Sequence, residues 1–100
     1  MLKITNDVDE FKAEDECVVY FTAEWCGPCK QLKPQYAKAS VIDTETNYYM
    51  LDVDKILSDD LNTYGIQSIP QVFVMKKGEI AKVVKSRTAD GIILEKSSVE

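Results

Sequence analysis

The chain has 100 residues, of which 45% are hydrophobic and only seven are Gly or Pro. These values predict one globular domain over residues 1–100 and exclude a disordered chain, a collagen-like chain and a two-domain enzyme. The net charge of −5 opposes binding to nucleic acid or to an anionic membrane surface, and the absence of histidine excludes Cys-His and Ser-His nucleophile pairs.

The segment from Met1 to Lys12 carries Asp7, Asp9 and Glu10 and contains no apolar run of signal-peptide length. No later segment of the sequence is long and apolar enough to span a bilayer. The three cysteines are an odd number, which is unlike the paired framework of a small secreted protein. We therefore expect a soluble cytoplasmic protein.

The hydrophobic pattern predicts strands that alternate with helices. In chain order the predicted elements are a strand at 2–4, a helix at 7–14, a central strand at 17–22, a helix at 29–40 that bends at Pro34, a strand at 47–53, a helix at 56–64, strands at 71–75 and 79–85, and a helix at 90–95. The run at 17–22 is β-branched and aromatic with little alternation, which is typical of a strand buried on both faces. Leu57 and Leu61 stand four residues apart and predict one face of the third helix.

The order of these elements predicts the fold class. Strands linked through helices pair in parallel, whereas the two-strand hairpin around Lys77 and Gly78 must be antiparallel. The prediction is a three-layer α/β sandwich, with a mixed central sheet that is parallel in its first half and has helices on both faces.

A CxxC motif, Cys26 to Cys29, lies between the central strand and the following helix. The free N–H groups and the dipole at a helix N-terminus stabilise negative charge, so we expect Cys26 to be a thiolate of lowered pKa. Cys29 is expected to lie one turn into the helix, more buried and close enough to form a disulfide with Cys26. Gly27 is expected to permit their close approach, and Pro28 to preset the first helical turn.

A zinc site and an inert structural pair are the alternative interpretations of the motif. Tetrahedral zinc requires about four ligands, and Cys17 is the only further cysteine in a chain without histidine. Cys17 begins the central strand and is expected to be buried and inert. The pattern therefore favours redox chemistry.

Residues 25–30, Trp-Cys-Gly-Pro-Cys-Lys, resemble the active-site motif of the thioredoxin family. Further matches at Phe21, Ala23, Glu24, Pro34, Gly65, Ile66, Ile69 and Pro70 and in the hairpin at 73–79 extend the resemblance over residues 2–95. It implies a thioredoxin-like fold and a protein-disulfide reductase in which Cys26 is the nucleophile and Cys29 resolves the mixed disulfide. It also implies that Ile69-Pro70 is a cis peptide that faces the cysteines.

The resemblance implies supporting or substrate-contacting roles for Trp25, Gly27, Pro28, Lys30, Ile69 and Pro70. It implies no bound cofactor, because a thioredoxin reductase that uses FAD and NADPH returns the electrons. Substrates of the family include ribonucleotide reductase and peroxiredoxins, and a monomer is expected. Two alternatives are a non-catalytic binding or processivity subunit and a disulfide isomerase or oxidase.

The chain departs from the family at two places. Tyr20 and Met50 stand where the family has a buried aspartate beneath the resolving cysteine and a neighbouring lysine. We therefore expect Tyr20 to pack in the core and Cys29 to lack an obvious base. Ser86 and Arg87 replace a Gly-Ala-like pair that faces the cysteines, and an arginine at the rim favours acidic substrates, although a solvated surface arginine is the alternative.

Overall fold

The structure is a computed structural model that describes residues 1–99. Its elements are β1 (Leu2–Ile4), α1 (Val8–Lys12), β2 (Glu16–Thr22), α2 (Gly27–Ile42), β3 (Tyr48–Asp52), a 3-10 helix (Val53–Lys55), α3 (Ser58–Thr63), β4 (Gln71–Lys76), β5 (Glu79–Val84) and α4 (Ala89–Ser97). The five strands form one sheet in the order β1-β3-β2-β4-β5. Within residues 1–99 no helix combines the length and the apolar character that crossing a bilayer requires.

The sheet is mixed, as the element order predicts. β1, β3 and β2 run parallel, whereas β2, β4 and β5 pair antiparallel. β2 lies at the centre, and every residue from Cys17 to Thr22 is buried. The predicted central strand is therefore confirmed. Because it ends at Thr22, the CxxC motif that follows lies at one end of the sheet.

The two faces of the sheet carry two separate cores. Alternate β2 side chains point to opposite faces, so Val18 and Tyr20 enter one core, and Val19 and Phe21 enter the other. The first core also contains buried residues of α2 and α4, and the second contains Phe11 of α1. Helices on both faces give the predicted three-layer α/β sandwich.

Several boundaries differ from the sequence predictions. α2 begins at Gly27, two residues earlier than predicted, and continues through Pro34 as one helix. The prediction that Leu57 shares one face of the third helix with Leu61 is wrong, because its extended backbone (φ −64°, ψ 142°) precedes the helix and its side chain is 75% exposed. The 3-10 helix, which the hydrophobic pattern did not predict, uses residues up to Lys55 and delays the start of α3 to Ser58.

Tyr36 attaches α2 to the centre of the sheet. The side chain is completely buried, and its ring packs between those of Tyr20 and Tyr48, with centroid distances of 4.9 and 5.4 Å. Its hydroxyl donates to the carbonyl oxygen of Tyr49 at 2.7 Å and lies 3.1 Å from that of Val18. Burial holds the pKa of Tyr36 well above its ordinary value, so the hydroxyl keeps its proton and remains a donor.

We predict that Tyr36→Phe lowers the free energy of unfolding by about 1 to 2 kcal/mol, because the variant keeps the ring but loses a buried hydrogen bond. Urea denaturation followed by circular dichroism measures the change. An unchanged midpoint would show that the hydroxyl does not contribute to the attachment of α2.

Candidate active site

The CxxC motif forms the start of α2. Cys26 is the N-cap residue, with extended backbone angles (φ −81°, ψ 111°), and Cys29 lies in the first turn. The two cysteines are joined by a disulfide, and their Cα atoms are 5.3 Å apart. The Cys29 backbone N–H donates to Cys26 Sγ at 3.2 Å, so a first-turn N–H is directed at this sulfur. A negative charge on Cys26 would gain that hydrogen bond and the favourable end of the helix dipole.

The two cysteines are buried, whereas the residues before and between them are exposed to solvent. Cys29 is completely buried and Cys26 is 4% exposed, in the order that the sequence predicts. Trp25, in contrast, is 65% exposed, and Gly27 and Pro28 are exposed as well. A partner can therefore contact the rim of the disulfide, and of the two cysteines only Cys26 has any exposed surface.

Gly27 is the exposed first residue of α2. A Cβ atom built at Gly27 would meet no atom of the surrounding structure within 4 Å, and its backbone is not in the left-handed region. Open space therefore lies beside this residue, and its role in the close approach of the two cysteines stays a prediction. Lys30 is exposed in the first turn, near the dithiol, as the motif predicts.

Trp25 is oriented by a residue that the sequence analysis missed. Its indole N–H donates to the Asp54 carboxylate at 2.7 Å, across 29 residues of sequence. Asp54 belongs to the 3-10 helix, whose start is stabilised by a hydrogen bond from the Asp54 N–H to the Asp52 carboxylate at 2.9 Å. The spacing of the two aspartates was a readable local signal for a cap, but no sequence signal links either one to Trp25.

Ile69 and Pro70 lie at the same end of the sheet as the dithiol. Their peptide bond is cis, as the family resemblance implies. β4 begins at Gln71, which is opposite Phe21 near the end of β2, so the chain reaches the sheet beside the segment that leads to Cys26. A groove of about 180 Å³ adjoins this loop and is lined by Trp25, Val53, Leu61, Ile66, Gln67, Ser68 and Ile69.

Tyr20 lies beneath Cys29. It is completely buried, pairs in register with Met50 on β3, and donates a hydrogen bond from its hydroxyl to the Cys29 carbonyl oxygen at 3.3 Å. Burial raises the pKa of Tyr20, and the Thr22 hydroxyl and the charge of Arg87 only partly oppose that rise. The phenol is therefore neutral at physiological pH and is not a base for Cys29.

Cys17 lies on the opposite face of the sheet from the dithiol. It belongs to the core with Phe11, whereas Cys26 and Cys29 belong to the other core. Burial, together with the charges of Glu14 and Glu16, raises the pKa of the Cys17 thiol from 9.0 to about 12. Within the described part of the chain, no group of three or more His, Cys, Asp or Glu side chains could hold a metal ion.

We predict that Cys17 resists alkylation in the folded, oxidised protein. Its high pKa leaves almost no thiolate at about pH 8, so iodoacetamide should react at least about a hundredfold more slowly than with a free cysteine. Mass spectrometry measures the adduct, and the same protein in concentrated urea is the control, which should be fully modified. Rapid alkylation of the folded protein would contradict the assigned burial.

Arg87 stands in the loop between β5 and α4 and is exposed. It lines a second groove together with Pro28 of the motif, so the structure places it at the rim of the dithiol. The residues that the sequence predicts for the site therefore lie at one end of the sheet: the CxxC motif, Tyr20, Ile69, Pro70 and Arg87.

Comparison with known proteins gives consistent results. A family model for thioredoxin matches residues 4–96. The chain is 37% identical over 89 residues to Thioredoxin-1 of Saccharomyces cerevisiae, covering 87% of this chain and 85% of that protein. It is 35% identical over 94 residues to Thioredoxin-1 of Schizosaccharomyces pombe, covering 89% of this chain and 90% of that protein. The solution structure of the oxidised thioredoxin from Plasmodium falciparum is similar, with a TM-score of 0.79, 28% identity and coverage of 97% and 96%.

The Cys26–Cys29 disulfide joins the N-cap of a helix to the first turn of the same helix, on a three-layer sandwich. This arrangement is that of a thiol–disulfide oxidoreductase. Because the family match extends over almost the whole length of the sequence, the chain belongs to the thioredoxin family. It is a protein-disulfide reductase of that family.

Proposed function

We propose that Cys26 is the attacking thiolate and Cys29 the resolving thiol of the cycle by which this protein reduces disulfides. The observation that carries this assignment is the hydrogen bond from the Cys29 N–H to Cys26 Sγ at the N-cap of α2. After reduction of the disulfide, the same N–H would stabilise a thiolate at Cys26. Complete burial of Cys29 favours its neutral form until the mixed disulfide has formed.

The cycle consists of two exchanges. The Cys26 thiolate attacks one sulfur of the substrate disulfide, a mixed disulfide forms, and the other substrate sulfur leaves as a thiolate that takes up a proton. Cys29 then loses its proton and attacks Cys26 Sγ, and the second substrate sulfur leaves as a thiolate. Two electrons pass from the protein to the substrate, and the Cys26–Cys29 disulfide remains.

Trp25, Ile69 and Pro70 are proposed to contact the substrate beside Cys26. The exposure of the Trp25 ring and its position with Ile69 on one groove support this assignment. The hydrogen bond to Asp54 holds the indole in place, so little side-chain entropy is lost when a partner binds. Gly27 and Pro28 leave the approach to Cys26 open, and Lys30 adds positive charge near the thiolate.

The electrons are proposed to come from a thioredoxin reductase that uses FAD and NADPH, with no cofactor bound to this chain. Membership of the thioredoxin family supports this electron source. It also supports disulfide-bearing proteins as substrates, such as ribonucleotide reductase and peroxiredoxins. The net charge of −5 supports protein partners rather than nucleic acid or membranes. We propose a monomer that acts in the cytoplasm.

We predict that Cys26→Ser abolishes the acceleration of dithiothreitol-driven insulin reduction, because the attacking thiolate is lost. Cys29→Ser should also slow turnover, and when the reduced variant is mixed with insulin without dithiothreitol it should accumulate a mixed disulfide at Cys26 that mass spectrometry detects. The turbidity of reduced insulin measures the rate, and Cys17→Ser is the matched control and should retain activity. Activity of Cys26→Ser equal to that of the wild type would overturn the assignment.

The same variants distinguish reduction from a non-catalytic role. A binding or processivity subunit would keep its partner and its function when both Cys26 and Cys29 are replaced by serine. A disulfide reductase loses its function in that double variant. Measurement of the reduction potential separates a reductase from an oxidase or isomerase, since the latter are much less reducing.

The neutral Tyr20 leaves the deprotonation of Cys29 without a carboxylate base. We predict that Tyr20→Asp shortens the lifetime of the Cys26 mixed disulfide by about tenfold or more, because a carboxylate can accept the proton of Cys29. Stopped-flow measurement with a fluorescent peptide disulfide gives the resolution rate. Tyr20→Phe is the control of equal size without a base, and it should not accelerate resolution. Equal rates in Tyr20→Asp and wild type would contradict the prediction.

A further inference from the structure

A groove of about 380 Å³ is lined at one end by Pro28 of the CxxC motif and lies on the side of α4, and it shares no lining residue with the groove at Trp25. We name it the Arg87 groove, and its lining residues are Pro28, Gln31, Leu32, Gln35, Arg87 and Thr88. Gln31 and Gln35 are one helical turn apart on α2, and the β5–α4 loop provides the other wall. Because only Gly27 separates Pro28 from Cys26, the groove starts within about 7 Å of the Cys26 Cα atom.

Four of the six residues that line the Arg87 groove have side chains that can donate hydrogen bonds, namely Gln31, Gln35, Arg87 and Thr88, whereas Pro28 and Leu32 are apolar. Gln35 Oε1 accepts from the Ala89 N–H at 3.0 Å, so the amide NH2 group of Gln35 remains to donate. Thr88 Oγ1 accepts from the Gly91 N–H at 3.2 Å, so its hydroxyl proton also remains available. Within residues 1–99, no carboxylate forms a salt bridge with the Arg87 guanidinium, and none of the lining residues is acidic.

The loop that carries Arg87 is held in place on both sides. Before it, the Glu95 carboxylate accepts from the backbone N–H groups of Lys85 and Ser86 at 3.0 and 2.7 Å. Hydrogen bonds from Ser86 hold the pKa of Glu95 below its ordinary value, so this carboxylate is ionised and already paired. After Arg87, the hydrogen bond between Ala89 and Gln35 ties the loop to α2.

Gly91 lets α4 approach this loop closely. A Cβ atom at Gly91 would lie 2.6 Å from Ser86 Cβ, which no side chain could occupy without a shift of the loop. The backbone at Arg87 is therefore fixed before any partner arrives, and less entropy is lost on binding.

We propose that the Arg87 groove binds an acidic side chain of the substrate polypeptide, close in sequence to the cysteine that Cys26 attacks. This inference rests on the proposed function, since it assigns a substrate class to the same dithiol. A guanidinium pairs with a carboxylate through two parallel hydrogen bonds, and the amides of Gln31 and Gln35 add donors beside it. The site selects substrates with an acidic residue on the α4 side of Cys26 and an apolar residue on the Trp25 side.

The test uses two peptide disulfides that are identical except for the residues flanking the cysteine, which are Glu in one and Gln in the other. Wild type should reduce the Glu peptide with about a fivefold higher kcat/KM, mainly through KM, and this preference should fall below about twofold in 0.5 M NaCl. Arg87→Ala should remove the preference by lowering kcat/KM for the Glu peptide more than for the Gln peptide. Arg87→Glu should reverse the preference.

Lys38→Ala is the charge-matched control. Lys38 is an exposed cation of α2, the helix that forms one wall of the Arg87 groove, but it lies outside the groove, and its loss changes the net charge by the same amount. This variant should keep the preference for the Glu peptide. Equal loss of preference in Lys38→Ala and Arg87→Ala, or equal loss of activity on both peptides in Arg87→Ala, would overturn the proposal.

A binding measurement separates this proposal from the proposed function. Versions of both peptides with serine in place of cysteine are titrated into the oxidised protein, and the side-chain amide signals of Gln31 and Gln35 are followed by NMR. Shifts with the Glu peptide alone support the Arg87 groove even if neither disulfide is reduced. The absence of shifts with the Glu peptide would overturn it even if both disulfides are reduced.

Discussion

The attachment of α2 to the sheet is the constraint on which the rest of the structure depends. The Tyr36 hydroxyl donates to a β3 carbonyl oxygen and lies beside one from β2, so a single side chain joins the helix to the two central parallel strands. α2 supplies the N-terminus at which Cys26 sits, the buried position of Cys29 and one wall of the Arg87 groove. A shift of this helix would therefore alter the nucleophile, the resolving thiol and the substrate surface together.

The side chains that lie beneath the dithiol are uncharged. Tyr20 and Met50 are neighbours in register, and neither is ionised at physiological pH. Loss of one member of a buried charge pair would leave the other without a partner, whereas replacement of both by a tyrosine and a methionine avoids the desolvation of two charges. Tyr20 adds an aromatic ring to the core at this position, and its neutral hydroxyl offers Cys29 no base.

The two grooves beside Cys26 differ in chemical character. One is largely apolar and is bordered by Trp25, which a hydrogen bond to Asp54 orients. The other offers amide donors and the Arg87 guanidinium on a loop held by Glu95 and Gln35. Contacts on both sides of the nucleophile let the protein distinguish substrates by the residues around the target disulfide, in addition to the exposure of the disulfide itself.

The sequence by itself determined the features that depend on a few neighbouring residues: the element order, the buried central strand, the hairpin turn and the dithiol at a helix start. Only the tertiary structure decided the pairings of Trp25 with Asp54 and of Gln35 with Ala89, which span 29 and 54 residues. Caps, turns and periodicity act within one or two helical turns, whereas these contacts depend on how crossovers place distant elements over the sheet. For the same reason the hydrophobic pattern did not predict the 3-10 helix that displaces Leu57 or the open space at Gly27.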